Sequence, residues 1–377
     1  MLSPISMLIG FFCLLKGNYY PFIFLIVFDL VLIVGDLLLP EDKMVMKNAH
    51  PFILNLSLYL NLPLLLLYIY ILVFIMGDTN PAWFSSFFNN YLYIDVISAK
   101  NNIQFLDKIA VIIMGSFNVA MGINIGHELT HRKKNKFDMF VGNTFLSMAW
   151  DCTFAIEHVH GHHKNIGLAD DPATAKRGEN LYMFILRGIK NQHIDAWKIE
   201  ISRLRRREKM LFGHNNKMLR GYVRSSLLTI LSYLIGGVTG LCFFLLWAFL
   251  GKCLLETVNY MEHYGLVREE GKPVFPRHSW NSNALISSLY LYNLTRHSSH
   301  HEKASLQFWE LKTYKDAPKM PFGYLTCIYI VLFFPFIYHR IMAPKLIEWD
   351  NRCATDKERE IAKVQNMNSG VSLLQGS

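Results

Sequence analysis

The sequence predicts an all-α fold: an integral-membrane six-helix bundle with a histidine-rich di-metal site at its cytoplasmic face. Three observations predict it: long apolar runs, a shortage of charge, and histidines gathered where those runs end. Of the 377 residues, 52% are hydrophobic, 14% aromatic and only 18% charged. A soluble domain carries about a quarter charged residues, so this balance points to lipid. The aromatic content also excludes a largely disordered chain. A net charge of +9 raises nucleic acid as a partner, but the basic residues cluster between apolar runs, as membrane-protein loops do. No nucleic acid is expected.

The elements follow in chain order. Residues 2–15 make a thin first span, about 21 Å long at 1.5 Å per residue. They resemble a signal-peptide core but lack its basic flank and small-residue cleavage site. Residues 19–39, 52–76 and 105–126 are each long enough to cross about 30 Å of hydrocarbon. The stretch 222–262 is interrupted by Gly236-Gly237-Val238-Thr239-Gly240 and reads as two spans, 222–238 and 241–262, joined by a tight extracytoplasmic turn. The apolar pieces 137–156, 284–294 and 322–342 are shorter or more broken and read as interfacial or re-entrant helices. With no repeat and no low-complexity linker, 1–377 reads as one domain ending in a cytoplasmic tail, 350–377.

Lys and Arg set the orientation. The 127–221 segment holds Arg132-Lys133-Lys134, Lys136 and the basic run Arg203–Lys209, whereas the 77–104 loop holds only Lys100 beside Asp78 and Asp95. The basic side is cytoplasmic, and six spans return the N-terminus to the same side. The run 203–209 reads equally as a partner-docking face or as a headgroup-facing surface. Asp29 and Asp36 lie inside the second apolar run; helix-end placement and a hydrogen bond to a neighbouring helix account for them better than a proton or substrate pathway.

Four motifs carry chemistry. His127-Glu128-Leu129-Thr130-His131 closes the fourth span, and its i, i+4 histidines share a helix face, so both imidazoles can reach one metal. The string also fits the H-E-x-x-H of a zinc protease, which needs one further ligand where this chain offers seven clustered ones. In Glu157-His158-Val159-His160-Gly161-His162-His163, His158 and His162 share a face, and His163 is close enough to serve a second metal. His160 points roughly 160° from His162 on a helix and leaves that face. Arg296-His297-Ser298-Ser299-His300-His301 repeats the i, i+3 and i+4 spacing, and Asn259-Tyr260-Met261-Glu262-His263-Tyr264-Gly265 ends the sixth span.

Nine histidines at helix ends would repel one another if protonated and would be costly to bury neutral without partners. Metal ligation answers both problems, and nine imidazoles suit two ions with open positions better than one. Imidazole suits iron, copper, nickel and zinc, so ligand type leaves the metal open. His50, His193, His214, His278 and His339 stand alone and read as surface or structural. Glu128, Glu157 and Glu262 flank ligand histidines and read, for some of them, as carboxylates that orient imidazoles; helix-end solvation is the competing reading for Glu128.

HELTH, EHVHGHH, NYMEHYG and RHSSHH resemble the histidine boxes of the integral-membrane alkane monooxygenases (alkane omega-hydroxylases) and of the related hydroxylase component of xylene monooxygenase. The likeness runs from about residue 19 to 350 and takes in Asp170-Asp171-Pro172-Ala173 and the basic 203–209 segment. Three such boxes also occur in membrane fatty-acid desaturases, whereas NYMEHYG with RHSSHH is more specific to the hydroxylases. The resemblance implies a six-helix fold in the bacterial inner membrane and a non-haem di-iron centre of two Fe ions. It also implies O₂ as oxidant and electrons from rubredoxin with rubredoxin reductase. Carried onto this chain, the catalytic metal ligands are His127, His131, His158, His162, His163, His263, His297, His300 and His301. Where alkane hydroxylases usually have Arg before the Gly of the second box, this chain has His160, a departure that touches the charge near the site rather than ligation.

The function expected is therefore that of an alkane 1-monooxygenase: O₂-dependent terminal hydroxylation of medium-chain n-alkanes, hydrophobic small molecules drawn from membrane lipid. The alternatives are hydroxylation of aromatic methyl groups or fatty-acyl chains, and fatty-acid desaturation. A metal transporter should show repeated halves and ionisable residues near the midplane, which this sequence does not. Turnover needs electrons, yet there is no flavin fingerprint, no C-x-x-C-H, and no paired cysteine among Cys13, Cys152, Cys242, Cys253, Cys327 and Cys353. The tail after Trp349 holds only Cys353, so the donor is expected to be a separate protein.

Overall fold

The computed structural model describes residues 2–45 and 50–376, and its regular structure is all helical, with one isolated bridge between Asn281 and Lys319. Along the chain run α1 (Ser3–Lys16), α2 (Tyr20–Leu38), α3 (Pro51–Met76), α4 (Ala82–Leu92), α5 (Val96–Asn101), α6 (Phe105–Thr130) and α7 (Lys136–Met148). Next come α8 (Phe154–Glu157), a π-helical turn (His158–His162), α9 (His163–Asn165), α10 (Leu181–Arg206) and α11 (Lys217–His263). A 3₁₀ turn (Pro276–His278) precedes α12 (Leu285–Tyr290), α13 (His297–Glu302), α14 (Tyr324–Phe333), α15 (Pro335–Arg352), α16 (Asp356–Asn368) and α17 (Ser372–Gln375).

Packing divides the chain into two compact units. One holds Met1–Val31, Ala49–Cys152 and Asn216–Leu254; the other holds Leu32–Asn48, Thr153–Asn215 and Leu255–Ser377. Four helices, α2, α3, α6 and α11, are long and apolar enough to cross a membrane, and α1 and α14 are shorter apolar helices. This is an all-α membrane protein.

In the first unit α3 and α6 are the central helices, each burying 61% of its most apolar window against 17% for α2. Small residues let neighbours approach closely: Gly115 faces the Trp247 indole, Gly122 faces Leu65, and Gly126 lies against Gly142. α6 runs on through Thr130, so the HELTH motif lies in its last turns rather than beyond them.

α11 has 47 residues, which as a straight helix would be about 70 Å long, more than twice the hydrocarbon thickness. It is not straight. Gly237 breaks it with φ 64° and ψ −156°, inside the glycine-rich interruption where the sequence predicts a turn. A Cβ on Gly240 would lie 3.4 Å from the carbonyl oxygen of Ser232, eight residues back, which a straight helix holds about 12 Å away. Asp78 fixes the bend: its amide donates to Gly236 O at 3.0 Å and its carboxylate accepts the Thr239 hydroxyl at 2.9 Å. A Cβ at Gly237 would collide with that carboxylate, so both the backbone angle and the space require glycine.

Of the three broken apolar pieces, 137–156 forms α7 in the first unit and α8 after it, 284–294 holds α12, and 322–342 holds α14 and most of the first half of α15. The run 322–342 divides at Phe334–Pro335 into α14 and α15, because proline cannot donate the amide that would continue α14, and α15 carries on to Arg352. Asp36 behaves as the helix-end reading expects: the Ser287 amide donates to its Oδ1 at 2.9 Å, and the Ser287 hydroxyl bonds Oδ2.

Candidate metal centre

His127 is in the last turn of α6 and His131 caps it, their rings 4.9 Å apart and nearly perpendicular. Glu128 on the same turn is held by Arg132 at 2.7 Å, and Arg132 also donates to Asn55 at 2.6 Å. That ion pair gives Glu128 a specific role in tying down the end of the helix.

The second unit brings seven histidines together. His158, His163 and His300 form one group, and His162, His263, His297 and His301, all buried, form another; within each, one nitrogen per residue lies within 4.8 Å of the rest. The local cause is the π turn. In an α-helix, residues five apart point about 140° away from each other. The π turn instead closes an i→i+5 bond from the His163 amide to His158 O and sets the two rings side by side, Nε2 to Nε2 3.1 Å. His162 thereby leaves the face of His158 and joins the other group, a partition different from the shared face expected of a regular helix. His160 is exposed and belongs to neither group.

Nitrogens converge throughout. His300 Nε2 is 3.1 Å from His163 Nε2, His263 Nε2 is 3.1 Å from His297 Nε2, and His301 Nε2 is 2.7 Å from His297 Nε2. Two nitrogens bound about 2.0–2.1 Å from one ion stand about 2.9–3.4 Å apart, so the 3.1 Å spacings fit shared metal ligation, while the His297–His301 pair is closer than that range. Burial, then the neighbouring His297 and His163, hold the His301 imidazole well below its ordinary pKa, which favours the neutral ring that can ligate a metal.

His162 supplies the sharpest test of fit. Its Nδ1 faces the Asp171 carboxylate at 3.0 and 3.1 Å, while Nε2 is buried with no hydrogen-bond partner among the described residues. Asp171 fixes the tautomer: Nδ1–H donates to the carboxylate and leaves the Nε2 lone pair for a metal. Burial alone would raise the Asp171 carboxyl, but His162 and the Thr174 hydroxyl, 2.6 Å away, hold it below the ordinary value. Asp171 lies in the Asp-Asp-Pro-Ala stretch, yet nothing in its spacing marks it as the carboxylate behind His162.

His263 is oriented by backbone. Its Nδ1 faces the carbonyl of His278 at 3.4 Å, and His278 is itself locked: Nδ1 accepts from the Phe275 amide at 3.0 Å and Nε2 meets Glu358 at 2.9 Å. His278, expected to be surface or structural, is buried behind a ligand. Glu262 Oε2 lies 3.2 Å from His297 Nε2, and its other oxygen accepts the Tyr324 hydroxyl at 2.9 Å, so this expected carboxylate touches a ligand imidazole. Arg268 fastens the end of the ligand helix through the carbonyls of Ile166 and Lys164, both at 2.6 Å. Arg296, preceding His297, is anchored by Asp42 at 2.8 Å and Leu311 O at 2.8 Å.

The remaining lone histidines divide simply. His50, His193 and His214 are exposed, and His339 meets the Tyr260 hydroxyl at 2.8 Å. In the basic run, Arg203 is paired with Glu200 at 2.6 Å, whereas Arg205, Arg206 and Arg207 are exposed.

Comparison with known proteins places the chain among relatives. The fatty acid desaturase family matches residues 106–331. Alkane 1-monooxygenase 2 of Alcanivorax borkumensis is 35% identical over 260 residues, covering 67% of this chain and 68% of that protein. Alkane 1-monooxygenase 1 of Pseudomonas aeruginosa is 35% identical over 241 residues, covering 63% of each. The xylene/toluene monooxygenase hydroxylase component XylM of Pseudomonas putida is 30% identical over 368 residues, covering 97% of this chain and 92% of that protein.

Proposed function

This chain belongs to the superfamily of the alkane 1-monooxygenases and fatty acid desaturases, and from that premise we propose that it is a non-haem di-iron monooxygenase that hydroxylates medium-chain n-alkanes at the terminal carbon. The observation that carries the reading is the pair of histidine groups, with His162 held by Asp171 and its Nε2 left without a hydrogen-bond partner among the described residues. In this reading two irons are held by His127, His131, His158, His162, His163, His263, His297, His300 and His301. Bound there, they supply O₂ activation: one oxygen atom enters a C–H bond, and two electrons with two protons take the other to water.

The chain's own residues set the conditions for that chemistry. Asp171 keeps a proton on His162 Nδ1, and the His278 carbonyl keeps one on His263 Nδ1, so both rings present Nε2 as the donor. Arg268 and Arg296 hold the two ligand segments still. An alkane offers no polar handle, so terminal selectivity has to come from the shape of an apolar passage.

The proposed topology is six spans in a bacterial inner membrane: α1, α2, α3, α6 and the two arms of α11. The Lys/Arg bias supports a cytoplasmic histidine site, with rubredoxin and its reductase supplying electrons. A second reading, hydroxylation of an aromatic methyl group, is favoured by one observation: the likeness to XylM spans 97% of this chain. Purified protein supplied in parallel with octane, dodecane and p-xylene under ¹⁸O₂ separates the two. Labelled 1-alkanol is expected; label only in the methylbenzyl alcohol selects the second reading, and unlabelled alcohol or alkene overturns both.

A further inference from the structure

A cavity of about 390 Å³ opens in the second unit between residues 315–319 and α15. Four cations and two carboxylates line it. Lys319 is spent on Glu41 at 3.0 Å and Arg352 on Glu348 at 2.5 Å, but Lys315 and Lys345 form no ion pair among the described residues. The cavity therefore offers net positive charge to a visitor.

Its wall includes Trp280, whose indole is buried. The Trp280 amide donates to Glu262 O at 2.8 Å, and the indole N–H donates to Tyr264 O at 2.9 Å. Those two carbonyls flank His263. A buried residue on the wall of a positively charged surface cavity is thus hydrogen-bonded, through its backbone amide and its indole N–H, to the residues on either side of a ligand histidine. Arg205, Arg206 and Arg207 at the end of α10 are exposed. Beside them Met210 and Phe212 are 77% and 76% exposed, a basic and apolar combination suited to lipid headgroups.

We propose that the Lys315–Lys345 cavity is the docking site of the external electron donor, an acidic one-electron carrier protein, and that Trp280 leads from it to His263. The proposal rests on the monooxygenase reading. Each turnover oxidises two carriers by one electron apiece, and these two electrons with two protons reduce the second oxygen atom of O₂ to water. Charge steers the carrier to the cavity, and the ring keeps the path from surface to ligand inside protein rather than water.

The test uses the full chain in nanodiscs with reduced rubredoxin as probe. The double variant Lys315→Glu/Lys345→Glu should weaken rubredoxin binding by about tenfold or more and flatten its salt dependence, with iron content unchanged. Trp280→Phe, checked for iron content and melting temperature, should leave binding intact and slow rubredoxin oxidation. The surface triple variant Arg205→Ala/Arg206→Ala/Arg207→Ala should bind as wild type. Wild-type affinity in the lysine variant overturns the proposal, as does a loss carried by the arginine triple, which moves docking to the end of α10. Failure of the wild type to bind rubredoxin overturns it too. Octanol made with dithionite as reductant then shows that the monooxygenase reading stands, and its absence despite binding removes that reading instead.

Discussion

His158 and His163 are five residues apart and bring their Nε2 atoms to 3.1 Å. No regular α-helix makes that contact; it exists because residues 158–162 form a π turn, in effect one extra residue wound into the helix. The extra residue separates the functions of neighbouring rings, sending His158 and His163 to one group and His162 to the other.

The extra residue can be removed. His160 is the exposed member of the turn. Deleting it should restore α-helical winding and keep His163 beside His158, now four residues on and about 40° round the helix, so bound iron should be retained. His160→Arg keeps the winding and should keep the iron. Metal analysis of both variants, with circular dichroism to verify folding, decides; loss of iron from a folded deletion variant would show that the π winding itself is required.

Wild-type protein is expected to carry two irons per chain. His162→Ala and His300→Ala, one from each group, should each lose metal and essentially all turnover. Asp171→Asn should weaken iron binding by about 10–100-fold, because an amide no longer fixes the His162 tautomer. Full activity with zinc alone, or with one iron per chain, would refute the assignment.

The sequence makes some of this legible and hides the rest for physical reasons. Histidines at i, i+4 announce shared ligation, and a glycine cluster inside an apolar run announces the bend that Gly237 makes, because local residue type dictates both. The pairing of His158 with His163 depends on winding that no residue type encodes. Asp171 reaches His162 across a loop, and the group behind His263 is a backbone carbonyl, an acceptor that every residue carries. Asp36 was readable as a helix-end carboxylate, but its partner Ser287 is 251 positions away.

Topology follows from the bend and the basic segment. With the Gly237 turn outside and the end of α10 inside, Val238→Cys in a cysteine-free background should label with an impermeant maleimide in intact cells. Arg206→Cys should label only after permeabilisation. Both positions are exposed, so accessibility rather than burial decides the result. The reverse pattern would invert the proposed orientation.

Helix α16 should stabilise the metal-bearing unit in a pH-dependent way through Glu358. Its carboxylate accepts from His278 Nε2 at 2.9 Å and from Arg277 at 3.1 Å, and also bonds the Thr355 amide at 2.9 Å. Burial would raise its pKa, but those partners hold it at about 2, below the ordinary 4.5. Because the folded value is the lower one, the unfolded chain binds the proton first as pH falls. The stabilisation is therefore complete above about pH 4.5 and is lost progressively toward pH 2. Glu358→Gln should lower the melting temperature by a constant amount near neutrality, and the gap from wild type should close as pH falls through that window. His278 hangs from this carboxylate and its carbonyl faces His263, so the variant should also weaken iron binding at pH 7. A melting gap that stays constant from pH 7 down to pH 3 would show that Glu358 acts through packing rather than charge.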